Sequence, residues 1–136
     1  MITGLKILVV DDESYIRDLL CNVLREQGND VDSAVDGEDA LKQVALHQPD
    51  VILTDIKMPR MDGFSLLRQV KQQYPTISVV VMTAFSQDYT IREALLTGAE
   101  EYLAKPFRSE EVLMVVERAY WRGKSRRERA AELKVF

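Results

Sequence analysis

The sequence predicts a doubly wound α/β fold, in which helices cover both faces of a five-stranded parallel sheet. Apolar, β-branched runs such as KILVV, VILTD and ISVVVMT are typical of strands that are buried on both faces. Segments with apolar residues at helical spacing separate these runs, so strands and helices alternate along the chain. A closed barrel of eight such units needs about 250 residues. The chain has 136, which favours an open sheet.

Five strands and five helices are predicted in strict alternation. The strands are predicted at residues 6–10, 30–34, 51–54, 77–82 and 102–104. The helices are predicted at residues 14–26, 38–46, 63 onward, 88–97 and from 109 to at least 120. Gly28 and Gly98 are expected to end the first and fourth helices, and Asp62 is a good N-cap for the third. Pro75 separates the third helix from the fourth strand.

The composition is that of one globular domain. The chain is 46% hydrophobic and 29% charged, and its apolar runs are shorter than the roughly 20 residues that cross a bilayer. The N-terminus runs directly into a strand and two aspartates, which is unlike a signal peptide. Cys21 is a single cysteine, so an internal disulfide is excluded. A cytoplasmic protein without membrane attachment is therefore predicted.

The net charge of −4 is divided unevenly along the chain. Residues 1–116 contain 11 basic and 19 acidic side chains, whereas residues 117–136 contain 7 basic and 3 acidic ones. The acidic body argues against direct nucleic-acid binding by the globular part.

Polar residues close four of the predicted strands. Asp11 and Asp12 follow the first strand, and Asp55, Thr83 and Lys105 follow or close the third, fourth and fifth. Parallel strands finish at the same edge of a sheet, which is where open α/β folds bind ligands. We therefore expect these five side chains to converge.

The adjacent carboxylates of Asp11 and Asp12 indicate a cation site. Like charges at close range repel in a partly desolvated cleft unless a cation joins them. Mg²⁺ prefers oxygen ligands and often uses one or two carboxylates together with phosphate oxygens. The alternative is that Asp12 only caps the helix that begins near Ser14.

The other three positions suit phosphoryl chemistry. The carboxylate of Asp55 can act as a nucleophile toward phosphorus when a metal screens its charge. Thr83 offers a hydroxyl beside Ala84, which is small enough to leave a pocket open, and the Lys105 ammonium can contact a phosphoryl oxygen. The alternatives are a turn or capping aspartate, a β-forming threonine and a solvated lysine.

Four motifs carry a resemblance to a known family. They are VVDDE at residues 9–13, DIKMPRMDG at 55–63, MTA at 82–84 and AKPF at 104–107. In this order and spacing the chain closely resembles the receiver (phosphoacceptor) domain of bacterial two-component response regulators, over residues 6–116. The resemblance implies a flavodoxin-like fold with strand order 2-1-3-4-5, and it implies a phosphorylation switch.

The resemblance also implies roles for single residues. A partner histidine kinase or phosphotransfer protein would phosphorylate Asp55. Mg²⁺ would be held by Asp12, Asp55 and the backbone carbonyl of Lys57, with Asp11 assisting mainly through water. Thr83 and Lys105 would bind the phosphoryl oxygens, and the bond between Lys105 and Pro106 is expected to be cis.

The same resemblance implies a conformational change. Thr83 would move toward the phosphoryl group and Tyr102 would turn inward, which would alter the surface formed by the fourth helix, fifth strand and last helix. The alternative for Tyr102 is an ordinary half-buried strand aromatic. Lys57 and Phe85 are placed at the rim of the pocket, where Phe85 would shield the phosphoryl group from water.

The last residues differ in character from the rest. We predict a receiver domain at residues 1–120 and a basic, helical extension or linker at residues 121–136, in which Gly123 weakens the helix. No output motif follows, so either this regulator works by contact alone or the chain is part of a longer regulator. A basic segment that stops within a helical pattern favours the second. A homodimer on phosphorylation is expected to use the receiver surface, with little contribution from the extension.

Two other functions were considered. A Mg²⁺-dependent phosphohydrolase with an aspartyl-phosphate intermediate usually has a DxD pair after the first strand and a separate cap, and this chain has adjacent aspartates instead. A receiver that serves only as a docking module would lack the acceptor, a metal ligand or the lysine. All of these are present, so a signalling switch is favoured over the docking module as well as over the enzyme.

Overall fold

The computed structural model describes residues 3–84 and 88–135, with the side chains of residues 88–90, 134 and 135 excepted. Its strands are β1 Lys6–Val10, β2 Asp30–Ala34, β3 Val51–Asp55, β4 Ser78–Ala84 and β5 Glu101–Lys105. Its helices are α1 Ser14–Glu26, α2 Gly37–His47, α3 Gly63–Gln73, α4 Asp88–Thr97 and α5 Ser109–Val135.

The five strands form one parallel sheet in the order β2-β1-β3-β4-β5. The predicted fold class and strand order are therefore confirmed. The order reverses between β1 and β3, so the loops that follow these strands diverge and leave a crevice at their carboxyl ends.

Alternate residues of the strands build two cores. On one face, Ile7 and Val9 pack with α1 and α5, and on the other, Leu8 and Val10 pack with α2, α3 and α4. Both faces of the central strands are buried, which explains why they are continuous apolar runs in the sequence. A sheet packed in this way is a rigid platform for the residues at its edge.

Several elements are longer than predicted, and pairing between strands is the reason. β3 includes Asp55, which pairs with Met82, and β4 continues to Ala84, which pairs with Lys105. The candidate residues Asp55, Thr83 and Lys105 are therefore within paired strands. Backbone pairing fixes their positions more firmly than a loop would.

The helix boundaries follow the expected capping chemistry. The Asp62 side chain accepts a hydrogen bond from the Ser65 N–H, as predicted for an N-cap, and Asp36 does the same for Asp39 in α2. Gly28 follows the last residues of α1 with φ of +83°, a left-handed conformation that favours glycine.

Helix α5 has 27 residues and continues without interruption from Ser109 to Val135, so it includes most of the predicted C-terminal extension. Within the described ranges, no helix combines the length and apolar character needed to cross a bilayer.

Candidate phosphoryl-transfer site

The candidate residues meet at the carboxyl edge of the sheet, as the alternation of strands and helices predicted. The Lys105 Nζ lies 3.0 Å from Asp11 Oδ2 and 3.2 Å from Asp55 Oδ2. Lys105 is thus not a solvated surface lysine, and its ammonium bridges two carboxylates that are 44 residues apart in sequence. The Lys105–Pro106 peptide bond is cis.

The three aspartates form a compact acidic group. One carboxylate oxygen from each of Asp11, Asp12 and Asp55 lies within 4.8 Å of the others. Asp11 is fully buried, Asp55 is half-buried and Asp12 is exposed, so the group opens toward solvent on the side of Asp12. Three carboxylates and one ammonium leave an excess of negative charge, which fits a hard divalent cation with oxygen ligands.

A surface cleft of about 440 Å³ adjoins this acidic group. Its lining comprises Asp12, Ile56, Lys57, Met58, Pro59 and Asp62. Asp12 and Lys57 therefore border one accessible space beside Asp55. The cleft gives a ligand a path to the carboxylates from solvent.

Local hydrogen bonds orient the two inner carboxylates. Asp11 Oδ1 accepts from the Glu13 N–H at 2.9 Å, and Asp55 Oδ1 accepts from the Ile56 N–H at 2.8 Å. In each case the second oxygen, Oδ2, is turned toward Lys105. The backbone therefore holds one oxygen of each carboxylate and leaves the other facing the site.

The capping interpretation of Asp12 is wrong. The N-cap residue of α1 is Glu13, and this helix start has no side-chain cap hydrogen bond. Asp12 is thus placed at the acidic group without a capping role.

A glycine brings the start of α3 against the end of β3. A Cβ at Gly63 would lie 2.2 Å from the backbone oxygen of Asp55. The Gly63 N–H donates to the Ile56 oxygen at 2.8 Å, which closes the loop that carries Lys57. Any larger residue here would push this loop away from Asp55.

An ion pair that was not predicted from the sequence also holds this loop. Asp36, which is 3% exposed, pairs with Arg60, whose φ of +66° is left-handed. The hydrogen bonds from the Asp39 backbone and from Arg60 hold the pKa of Asp36 below its usual range. In the sequence, the Asp36-Gly37 pair is typical of a helix start, but it does not indicate which residue pairs with the Asp36 carboxylate.

Thr83 and Tyr102 occupy different environments. Thr83 is 2% exposed, and its Oγ1 has no hydrogen-bond partner among the described residues. Tyr102 is 40% exposed and borders a cleft of about 510 Å³ with Ile91, Arg92, Leu95 and Leu96. Ala84 is exposed at the end of β4, and Phe85 lies outside the described residues.

Burial and charge act in opposite directions on the pKa values of the site. Burial raises the pKa of Asp55 and nearby Asp11 raises it further, which outweighs the lowering effect of Lys105. Burial by itself lowers the pKa of Lys105, but its hydrogen bond with Asp11 and the charge of Asp55 outweigh this and raise the pKa. The site therefore favours the protonated form of Lys105, and it makes the charged form of Asp55 less favourable in the folded state than in the unfolded chain.

This cost predicts a pH dependence in the absence of metal. Because its folded-state pKa is raised, Asp55 lowers stability as pH rises from about 3.8 through the folded-state pKa. Asp55→Asn should therefore have a higher melting temperature than wild type at pH 7 in a chelator, and this difference should disappear below the ordinary aspartate pKa. Thermal unfolding monitored by circular dichroism measures both. A wild type that is more stable than the variant at pH 7 would contradict the prediction.

A family model described as the response regulator receiver domain matches residues 7–117. The match covers every strand except the first residue of β1, and it ends within α5.

Curated relatives include transcriptional regulators. The DNA-binding transcriptional regulator NtrC of Proteus hauseri is 45% identical over 111 residues, which cover 82% of this chain and 24% of the relative. The alkaline phosphatase synthesis transcriptional regulatory protein PhoP of Bacillus subtilis is 40% identical over 107 residues, covering 79% and 45%. The chain thus spans about a quarter to a half of the length of these relatives.

Solved structures share the fold. NtrX from Brucella abortus has a TM-score of 0.89 and 34% identity, with coverage of 95% of this chain and 29% of NtrX. The isolated receiver domain of the same NtrX has a TM-score of 0.81 and 35% identity, with coverage of 84% and 97%. The chemotaxis response regulator CheY4 of Vibrio cholerae has a TM-score of 0.81 and 33% identity, covering 86% and 99%.

Proposed function

We propose, because the chain belongs to the family of response regulator receiver domains, that Asp55 accepts a phosphoryl group in a Mg²⁺-dependent reaction and thereby switches this domain between two states. The donor is a sensor histidine kinase or a phosphotransfer protein. The observation that carries the proposal is the meeting of Asp55 with Asp11, Asp12 and Lys105 at the edge of the sheet.

In the phosphoryl transfer, one bond to phosphorus forms as another breaks. A carboxylate oxygen of Asp55 attacks phosphorus and forms a new O–P bond, while the P–N bond of the phosphohistidine breaks. The electron pair of that bond leaves with the imidazole nitrogen of the donor. Lys105 is positioned to neutralise charge on a phosphoryl oxygen, and the unpartnered Thr83 hydroxyl is available to donate to another.

The acidic group is suited to hold the metal. Asp12, Asp55 and the backbone carbonyl of Lys57 would be ligands, with Asp11 assisting through water. Bound Mg²⁺ would reduce the repulsion between the Asp55 carboxylate and an incoming phosphoryl group. Asp11 remains paired with Lys105, which keeps both inner groups in place.

Titration with a phosphoryl mimic tests this site. Beryllofluoride should bind the wild type in the presence of Mg²⁺, as measured by isothermal calorimetry, and should not bind in a chelator. Asp12→Asn should weaken Mg²⁺ binding at least tenfold because it removes one charged ligand. Asp30→Asn, an exposed aspartate at the opposite end of the sheet, is the control. Equal Mg²⁺ affinity in Asp12→Asn and wild type would remove Asp12 from the metal site.

The surface of α4, β5 and α5 is proposed to report the phosphorylation state. Movement of Thr83 toward the phosphoryl group would leave space for Tyr102, which is half-exposed on β5. Leu95 and Leu96 are 40% and 79% exposed on the same side, so rotation of Tyr102 would change an apolar surface. A partner protein or an output domain of a longer chain would bind this surface. The domain promotes only its own phosphorylation and dephosphorylation.

A second copy of the chain is one such partner. Charges of both signs and the apolar residues beside Tyr102 allow pairing by rotational symmetry. Exposed ion pairs contribute about 0–1 kcal/mol each, so the dimer should be weak. Sedimentation with and without beryllofluoride, on the full chain and on a chain ending at Tyr120, should show association with the mimic in both forms. If only the full chain forms dimers, and does so with or without beryllofluoride, the extension is responsible for association.

A further inference from the structure

The C-terminal part of α5 lies against the base of the sheet, which is the edge opposite the acidic group. Gly123 is buried where α5 crosses the start of β4, and a Cβ at this position would lie 2.1 Å from Ser78 Oγ. Arg127 continues the contact and donates to the Thr76 backbone oxygen at 2.6 Å. A freely solvated linker would make none of these contacts.

A buried carboxylate lies beneath this crossing. The Glu100 side chain is 1% exposed and pairs with Lys71 of α3 and Arg126 of α5. Its Oε2 also accepts from the Val79 N–H at 2.5 Å, so the same carboxylate holds β4. One buried charge therefore connects α3, β4 and the end of α5.

The neighbouring glutamate adds further ties. Glu101 Oε1 lies 2.7 Å from Arg118 and Oε2 lies 2.8 Å from Arg122. Arg122 also donates to the Glu100 backbone oxygen at 3.1 Å. Glu100, which directly precedes β5, and Glu101, its first residue, are thus both held by α5.

We call this set the basal clamp. Its members are Lys71, Ser78, Glu100 and Glu101 on the domain and Arg118, Arg122, Gly123 and Arg126 on α5. The clamp contacts β4 and β5 at their N-terminal ends. Thr83 and Lys105 lie at the C-terminal ends of the same two strands. Tyr102 follows directly after Glu101.

We propose that residues 121–129 of α5 are a strap, docked on the base of the sheet by the basal clamp, and that occupancy of the Asp55 site releases it. The coupling rests on the phosphoryl switch proposed above. Released, the strap exposes the surface around Gly123 that is packed against the base of the sheet when the strap is docked.

The direction of the effect follows from the contacts. The ion pairs of Glu100 and Glu101 with α5 are formed in the conformation in which Thr83 Oγ1 lacks a partner among the described residues and Tyr102 is 40% exposed. A movement of β4 or β5 that draws Thr83 to a phosphoryl group acts on strands that the clamp holds at their other ends. We infer that a displacement of these strands weakens the pairing of the buried Glu100 with Arg126, because that pairing depends on the present position of β4 and β5.

The effect of Gly123→Ala distinguishes a docked strap from a helical linker that makes no contact with the sheet. Alanine has a higher helix propensity than glycine, so in a linker this change should strengthen the helix. In a docked strap the new Cβ meets Ser78 Oγ, and the helix is displaced. Ser78→Ala removes that oxygen, which has no partner among the described residues, and makes room for the methyl group.

Hydrogen–deuterium exchange of the amides in residues 121–129 measures docking. Exchange should be at least tenfold faster in Gly123→Ala than in wild type, and Ser78→Ala combined with Gly123→Ala should return it toward the wild-type rate. Ser125→Ala, at an exposed position of the same helix, is the matched control and should not accelerate exchange. Slower or unchanged exchange in Gly123→Ala would overturn the docking.

The coupling is tested on the same proteins with Mg²⁺ and beryllofluoride. The mimic should accelerate exchange of residues 121–129 in wild type by about fivefold, and by reciprocity Gly123→Ala should bind the mimic more tightly than wild type, by at most the same factor. If the mimic binds wild type but changes neither the exchange rate of residues 121–129 nor its own affinity for Gly123→Ala, the strap is not coupled to the Asp55 site. The phosphoryl site itself is then still supported. If wild type does not bind the mimic at all, the phosphoryl site fails, and the coupling fails with it.

Discussion

Asp55→Asn should abolish phosphorylation by a small acyl phosphate, whereas wild type should gain the mass of one phosphoryl group when Mg²⁺ is present. Asparagine keeps the size of the side chain and can still accept from the Ile56 N–H, but its amide has no anionic oxygen to attack phosphorus. Asp11 is a poor substitute because it is fully buried and is held by both Lys105 and the Glu13 N–H.

Intact-mass spectrometry of both proteins measures this directly. Asp30→Asn is a suitable control, because it makes the same chemical change at an exposed position at the opposite end of the sheet. The control should be phosphorylated like wild type. A full mass gain in Asp55→Asn would assign the phosphoryl group to another residue and remove Asp55 from the mechanism.

The convergence of the site could be predicted because it follows from topology. Parallel strands end at one edge, so residues that close successive strands must be neighbours whatever the details of packing. Asp11, Asp55 and Lys105 meet for this reason. Which carboxylate Lys105 contacts, and how deeply each is buried, depends on side-chain geometry that a pattern of residue types does not contain.

The ends of the strands were predicted less well, because they were placed where the run of apolar residues ends. The fourth strand was predicted to stop at Met82, where the apolar run ends, but pairing with β5 continues through Thr83 and Ala84. Hydrogen bonding between strands decides where a strand ends, and a single sequence does not report which residues face each other across a ladder.

The C-terminal part of α5 was the hardest region to predict. Residues 121–136 were predicted as a basic, helical extension or linker in which Gly123 weakens the helix, and no contact with the sheet was predicted. Their partners Glu100, Glu101 and Ser78 are distant in sequence and belong to the sheet. Long-range ion pairs of this kind have no local signature, and a glycine required for close approach looks the same as one that merely weakens a helix.

Glu100→Ala should lower the free energy of unfolding by about 3–5 kcal/mol, as is typical when one member of a buried ion pair is removed. The change leaves the Val79 N–H without its side-chain acceptor. It also leaves Lys71, whose side chain is 15% exposed, with the Ile77 backbone oxygen but without its carboxylate. Arg126 loses the same partner, so the strap is weakened as well.

Urea unfolding at equilibrium measures the change. Glu128→Ala, an exposed glutamate in the same extension, is the control and should change stability by less than about 0.5 kcal/mol. A chain that ends at Tyr120 should lose less stability than Glu100→Ala, because Lys71 and the Val79 N–H still satisfy the carboxylate after Arg126 is gone. If Glu100→Ala is as stable as Glu128→Ala, Glu100 does not act as a buried anchor, and the base of the sheet holds α5 through Glu101 and through the packing around Gly123.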